Sequence, residues 1–246
     1  MDDYAEFQKS NTQNNERRQK DSELKDMLLE VQIKLDKYKY GYSFEWLGIP
    51  IIRLPDDIVV YQELIFYVNP KIILEIGVAR GGSVILSSSL VELMGNDGRV
   101  IGVDIDIRSH NLERLKAHKM YKNINLIEGD VLDPSTLVKI KENLAGAKVD
   151  ILVLDSNHTH EHVLHELEML SNLVSIGGYI VLPDTVIEDF PRGYYSETRP
   201  WDVGNNPKTA LLEFIEKNDK FELDKHFSVK AAISESPSGY IRKIRD

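Results

Sequence analysis

The segment DSNHTHEH, residues 155–162, places two carboxylates and three imidazoles directly after the apolar run VDILVL. These are side chains that can take or give a proton near neutral pH. Asp155 and His158 fall closest to the end of the run, where a strand would deliver them to a ligand. His160 and His162 are two residues apart and cannot share one helix face toward one ion. A zinc centre is therefore not expected, and these two, with His165, read as capping or surface positions. The chain has no Cys, which excludes disulfides and thiolate metal sites. A second acid, Asp184, follows the next apolar run in LPDT. The long polar-aromatic stretch EDFPRGYYSETRPWDVGNNPKTA comes after it. Loops of this length in compact domains usually close over or bind something. In it, Arg199 and Trp201 offer a charge and a stacking face for a sugar ring or a nucleotide-diphosphate carrier.

Another stretch could hold a cofactor. KIILEIGVARGGSVIL, residues 71–86, is an apolar run ending in an acid and a glycine cluster. Glycines let backbone approach a ligand closely, and a helix N-terminus offers free N–H groups. The spacing is E-x-G-x-x-x-G-G rather than the G-x-G-x-x-G of a dinucleotide site. The looser turn suits a ligand with an amino-acid head and no phosphate. Glu75, Gly77, Arg80, Gly81, Gly82 and Ser83 are its candidate contacts, with Glu75 holding either the turn or an ammonium through water. The next two apolar runs end at Asp104, placed to accept ribose hydroxyls, and at Asp130, placed for an adenine amino group. Asp106 reads as a turn or cap. Acids at successive strand ends around a glycine turn, with Asp155 at a further one, indicate S-adenosyl-L-methionine (SAM).

The elements that must position these residues follow from pattern. From residue 71 short apolar runs alternate with amphipathic segments, which predicts a parallel sheet with helices on both faces. Asp133 with Pro134, and Asn206 with Pro207, mark helix starts. FELDKHF and KAAISESPSGYIRKI read as closing strands joined by an SPSG turn, giving an antiparallel C-terminal edge hairpin. Residues 1–22 are polar and expected to be loose. Leu24, Met27, Leu28, Val31 and Leu35 then recur at helical spacing, with Asp21 or Ser22 as cap. That helix can pack on its own domain or on a second copy in a homo-oligomer. Pro50 and Pro55 break the aromatic-rich segment after it into a loop and a helix. The division expected is an arm over 1–40 and a domain over 41–246. A net charge of −10 argues against nucleic acid as a partner. No apolar run reaches the roughly 20 residues of a membrane span, and the first twenty residues lack the apolar core of a signal peptide, so a cytoplasmic location is expected.

Four stretches, WLGIPIIRLPDDIVVYQELI, EIGVARGGS, VLDSNHTHEHVLHEL and RPWDVGNNPKTALLEF, together resemble the cephalosporin hydroxylase / rhamnosyl O-methyltransferase family. The likeness runs from about Tyr40 to the C-terminus. It implies an α/β, Rossmann-like class I methyltransferase fold with a mostly parallel seven-stranded sheet. It also implies SAM as cofactor and methyl transfer to a hydroxyl of a sugar, free or nucleotide-linked, in bacterial polysaccharide or glycan biosynthesis. Some members hold a divalent metal with an Asp after the fourth strand and an acidic pair after the fifth. Asp155 and Asp184 match two of these positions, and Pro183 stands where the pair has its other acid. Mg²⁺ held by Asp155, Asp184 and water is thus one expectation; direct proton removal by His158 or Asp155 is the other. An NAD-linked sugar oxidoreductase fits less well, lacking both the glycine spacing and a Tyr-x-x-x-Lys pair. A non-catalytic cofactor-binding protein of a glycan-assembly complex leaves Asp155, His158 and Asp184 without a purpose.

Overall fold

The computed structural model describes residues 2–246. Five parallel strands carry the sheet: β3 (Ile72–Ile76), β4 (Arg99–Asp104), β5 (Ile124–Glu128), β6 (Val149–Leu154) and β7 (Val174–Val181). Two short C-terminal strands, β8 (Phe221–Leu223) and β9 (Tyr240–Lys243), complete it in the order β5-β4-β3-β6-β7-β9-β8. β9 lies antiparallel between β7 and β8, so the last strand of the chain is internal and β8 forms the edge. The expected closing hairpin is present, but its strands are joined by a long loop rather than by SPSG alone. From β3 the chain builds outward one way through β4 and β5, then returns to build the other way through β6 and β7. The order reverses between β3 and β6, and a ligand crevice opens at the carboxyl ends of strands at such a point.

Strict alternation along the strands serves two faces. Leu74, Ile76, Ile101 and Leu152 pack on α6 (Pro134–Leu144), α7 (His160–Leu170) and α8 (Pro207–Lys217). Ile73, Val100, Ile151 and Val153 pack on α3 (Pro55–Val68), α4 (Gly82–Met94) and α5 (Ser109–Ala117). All five residues of β3 are buried, which is why its sequence is a continuous apolar run broken only by Glu75.

The N-terminal region departs from the sequence reading. Residues expected to be loose form helix α1 (Asp3–Lys20), capped by Asp2. Asp3 and Glu6 in its first turn and Arg17, Arg18 and Lys20 in its last suit the helix dipole. No residue of it is buried, and Arg18 fastens it by donating to the carbonyls of Val229 and Lys230. Asp21 caps α2 (Ser22–Asp36), as expected. The segment read as a loop contains a small hairpin, β1 (Phe44–Trp46) and β2 (Ile49–Ile51). Trp46 donates its indole N–H to Ser89 and packs on α4, so it belongs to the core and not to a ligand.

Close approach sets the positions of two glycines. Gly77 has φ +99°, and a Cβ there would overlap the Asp155 carbonyl. A Cβ on Gly82 would sit 2.6 Å from Ile51 Cα, so the β2 strand lies directly on the first turn of α4. Gly77→Ala is expected to lower unfolding free energy by on the order of 2–4 kcal/mol in urea titrations, because strain and overlap add. Gly146→Ala, with φ +84° but open space around it, should cost only about 1 kcal/mol.

Candidate active site

The turn after β3 is fastened before any ligand arrives. Gly77 N–H donates to Val103 O and Gly81 N–H to Val78 O, both at 2.8 Å. Asp104 Oδ2 accepts from the N–H groups of Val78 and Ala79 at 2.8 and 2.9 Å. Its Oδ1 accepts from Asp106 N–H at 3.0 Å. Asp104 thus shapes the turn directly. Ala79 (φ +47°) and Gly81 (φ +89°) both take left-handed backbone, and Gly81 is the N-cap of α4. Its cap has no side-chain hydrogen bond, which leaves the first-turn N–H groups facing the crevice. Asp130 is exposed beyond β5, where Oδ1 accepts from Leu132 N–H.

Below the turn Glu75 is 1% exposed and accepts from the Ser83 hydroxyl. Burial pushes its carboxyl up to about 7, with Arg53 and the Ser83 bond opposing. Arg53, 3% exposed, is the cation among these acids. Its Nε lies 3.1 Å from Glu235 Oε1, its Nη2 3.7 Å from Asp155 Oδ2, and its guanidinium 5.2 Å from the Tyr61 ring centre. Burial works against its charge, but Glu235, Asp155 and Glu75 overcome that and hold it protonated.

Asp155, His158 and Asp184 offer ligand atoms that all lie within 4.8 Å of one another. Asp155 is positioned by its own N–H, which donates to Ile76 O at 2.8 Å across the β3–β6 junction. Burial, then the neighbouring Asp184, raises its carboxyl to about 6, against the pull of Arg53 and His158. Asp184 has φ +58°, a strained value for a residue with a Cβ. His158 Nε2 is 3.4 Å from Asp184 Oδ2, and the imidazole meets Trp201 edge-on at 4.6 Å between centroids. Arg199 in turn sits 5.4 Å over the Trp201 ring. Two carboxylates confronting one another are the donor set of a divalent cation, and the residues fit Mg²⁺ with water filling its remaining positions. His158 adds a nitrogen that Mg²⁺ accepts less readily than oxygen.

A cavity of about 620 Å³ joins these parts. Its walls include residues 77–83, Asp155, His158, Asp184, Arg199 and Trp201, along with Tyr42, Tyr195 and Glu235. Asp104 and Asp130 are not among its lining residues; they stand along the ends of β4 and β5. The other histidines of the motif have structural partners. His160 bonds Thr209 and Glu213 on α8, and His162 bonds Ser156 and Glu166. His165 is exposed. Sequence reasoning missed Arg53 and Glu235. Arg53 had a signal, a lone charge in the apolar segment IPIIRLP, whereas Glu235 lies in a polar loop with none.

The fold, with the glycine turn at the β3–β6 reversal, is that of a class I methyltransferase. The family model described as Rhamnosyl O-methyltransferase/CmcI matches residues 38–244, and the chain belongs to that family. A rhamnosyl O-methyltransferase of Mycobacterium leprae is 29% identical over 164 residues, 63% of this chain and 68% of the relative. One from Mycobacterium bovis BCG is 28% identical over 162 residues, 63% and 64% of the two chains. The chain therefore matches about two thirds of the length of these curated relatives. Among solved structures, CmcI with Mg and SAM superposes with a TM-score of 0.58 at 22% identity, covering 83% of this chain and 78% of that one. A Bacillus cereus O-methyltransferase complexed with SAH gives 0.55 at 16% identity, with 89% and 91% covered. These structural likenesses establish the shared fold. Among the described residues no helix is long and apolar enough to cross a membrane.

Two measurements check the electrostatics of the site. Glu75 binds its proton more readily folded than unfolded, so its stabilising contribution is complete below about pH 4.5 and is lost as pH rises through about 7. Glu75→Gln should therefore raise the unfolding free energy above pH 7, by up to the order of 3 kcal/mol in urea titrations, with the difference vanishing toward pH 4. A bound cation acts in the other sense on the Asp155–Asp184 pair. Saturating Mg²⁺ should raise the wild-type midpoint by about 5 °C at pH 8 and leave Asp184→Asn unchanged, as read by scanning calorimetry.

Proposed function

We propose that the chain is a SAM-dependent O-methyltransferase acting on a sugar hydroxyl. The supporting observation is that the glycine turn and the Asp155–His158–Asp184 trio open into one cavity. The bound cofactor supplies a methyl group already activated on a sulfonium centre. Residues 77–83 and the open N–H groups of α4 hold its amino-acid end, with Ser83 placed by Glu75. Asp104 lies where β4 meets the turn and takes the ribose side; Asp130, farther along the strand ends, takes the adenine side.

Transfer to a hydroxyl forms an oxygen–carbon bond as the carbon–sulfur bond breaks and its electron pair returns to sulfur. The acceptor loses a proton in the process, and the chain must receive it. His158 Nε2 and the Asp155 carboxylate are the groups in place to do so. A divalent ion held by Asp155 and Asp184 would supply Lewis-acid chemistry that makes the hydroxyl easier to deprotonate. That structures of CmcI and of the methyltransferase MycE are described with Mg supports the presence of an ion at such a site.

The sugar acceptor is supported by the relatives' names, rhamnosyl O-methyltransferase, and by a cavity wall of Trp201, Tyr42 and Tyr195 beside carboxylates. Aromatic faces with a few fixed polar groups are the ordinary makeup of a small-molecule site. A place in polysaccharide or glycan biosynthesis, on a free or nucleotide-linked sugar, is part of the same proposal; the relatives' names support it only as far as a rhamnosyl acceptor.

Isothermal titration should show SAM and SAH binding and no binding of NAD. Methyl transfer to rhamnosides should then be measured with and without a chelator. His158→Ala is expected to lower kcat about 100-fold while leaving the SAM Kd within about twofold. NAD binding in place of SAM would overturn the assignment.

A further inference from the structure

Helix α2 ends before the family-matched segment begins at residue 38, yet Gln32, Leu35 and Asp36 line the reactive cavity. This wall is held in place at several points. Gln32 donates to Ser234 O at 2.8 Å. Tyr194, from the long loop after β7, donates its hydroxyl to Asp36 Oδ2 at 2.9 Å. Tyr194 also meets Phe190 edge-on, and Tyr195 stacks on Phe190 at 16° between planes. The loop and the helix thus close one side of the cavity together.

Asp36 Oδ1 makes no hydrogen bond among the described residues. Tyr42 and Tyr195 line the cavity together with Asp36 and Asp184. Burial first, then Asp184 and Asp36, raise Tyr42; burial, Asp36 and Asp184 raise Tyr195. Asp36 therefore faces the same space as Asp184. The cavity wall carries Asp36, Asp155, Asp184 and Glu235 with Arg80, Arg108 and Arg199; Arg53 pairs with Asp155 and Glu235 from behind, which leaves Asp36 as a carboxylate with no cation partner among the described residues. A diphosphate placed beside Asp36 would meet like charge. A neutral ring with adjacent hydroxyls would meet a free carboxylate oxygen, phenol hydroxyls and aromatic faces.

We propose that α2 is the acceptor-specificity wall of the enzyme, and that Asp36 reads hydroxyls of a neutral pyranose acceptor while Tyr42 and Tyr195 form its shelf. The inference rests on the sugar O-methyltransferase reading and adds the residues that select the sugar.

The test uses full-length protein, p-nitrophenyl α-L-rhamnopyranoside and α-D-glucopyranoside, and dTDP-L-rhamnose as probes, with SAM affinity measured in parallel. Asp36→Asn should raise the KM for the preferred glycoside about tenfold or more, with the SAM Kd within about twofold. Tyr194→Phe removes the same hydrogen bond from the other side and should move that KM less than about threefold. Equal shifts in the two variants would mean that Asp36 only docks the loop, and the proposal fails. It fails too if Asp36→Asn leaves KM unchanged, or if dTDP-L-rhamnose alone is methylated. Should Asp36→Asn not fold, Asp36→Glu, which keeps the charge but displaces it, must show the KM rise. If wild type binds SAM but methylates none of the probes, the sugar reading itself falls and this inference with it.

Discussion

One buried cation, Arg53, holds the site together. Glu75 and Asp57 are buried and Asp155 and Glu235 half-buried around the crevice, and burial drives each toward its neutral form. Arg53 opposes that drive at every one of them. It also joins three parts of the chain that are distant in sequence: the segment before α3, the end of β6, and the loop between β8 and β9. Asp57 reinforces the link by accepting from Ser234 Oγ and from Glu235 N–H. Removing Arg53 from such a cluster would leave the acids buried without compensation. The Asp155 carboxylate is therefore anchored from behind by charge and from the side by the strand.

The strand anchoring depends on a missing side chain. Gly77 lies so close to the Asp155 carbonyl that only hydrogen fits. This contact sets the depth of the glycine turn relative to Asp155, His158 and Asp184, and the β3–β6 pairing sets its register. Asp104 completes the arrangement by taking two N–H groups of the turn. The turn is thus preformed, so its conformational entropy is already lost before a ligand binds. The left-handed backbone at Ala79 and Asp184 is strain held by this surrounding structure, and both residues lie at the cavity.

The other half of the cavity is built differently. Its walls come from α2, from Tyr42 ahead of the small hairpin, and from the loop after β7. The loop meets α2 through the Tyr194–Asp36 hydrogen bond and packs on itself through aromatic edges, without pairing in the sheet. A rigid reactive floor under a roof of separable segments allows one chemistry to be kept while the acceptor varies.

Much of this was legible in the sequence because it depends on local order. The apolar runs at Ile72–Ile76, Val149–Leu154 and their neighbours had to be buried strands, and alternation with helices required a parallel sheet. Glycine at 77, 81 and 82 marked backbone that other residues could not follow, and Asp155 and Asp184 stood at strand ends where a crevice opens. The sequence also carried the helical spacing of α2, but not which surface it would cover. Tertiary structure alone decided that Asp104 fastens the turn, that residues 3–20 are helical against the loop carbonyls of Val229 and Lys230, and that Trp46 is core. It alone brought Arg53 and Glu235 to Asp155, and Asp36 to the cavity. Periodicity and turn chemistry act over a few residues and can be read along the chain. The pairing of buried charges depends on which distant segments meet, and that is fixed only when the whole core has closed.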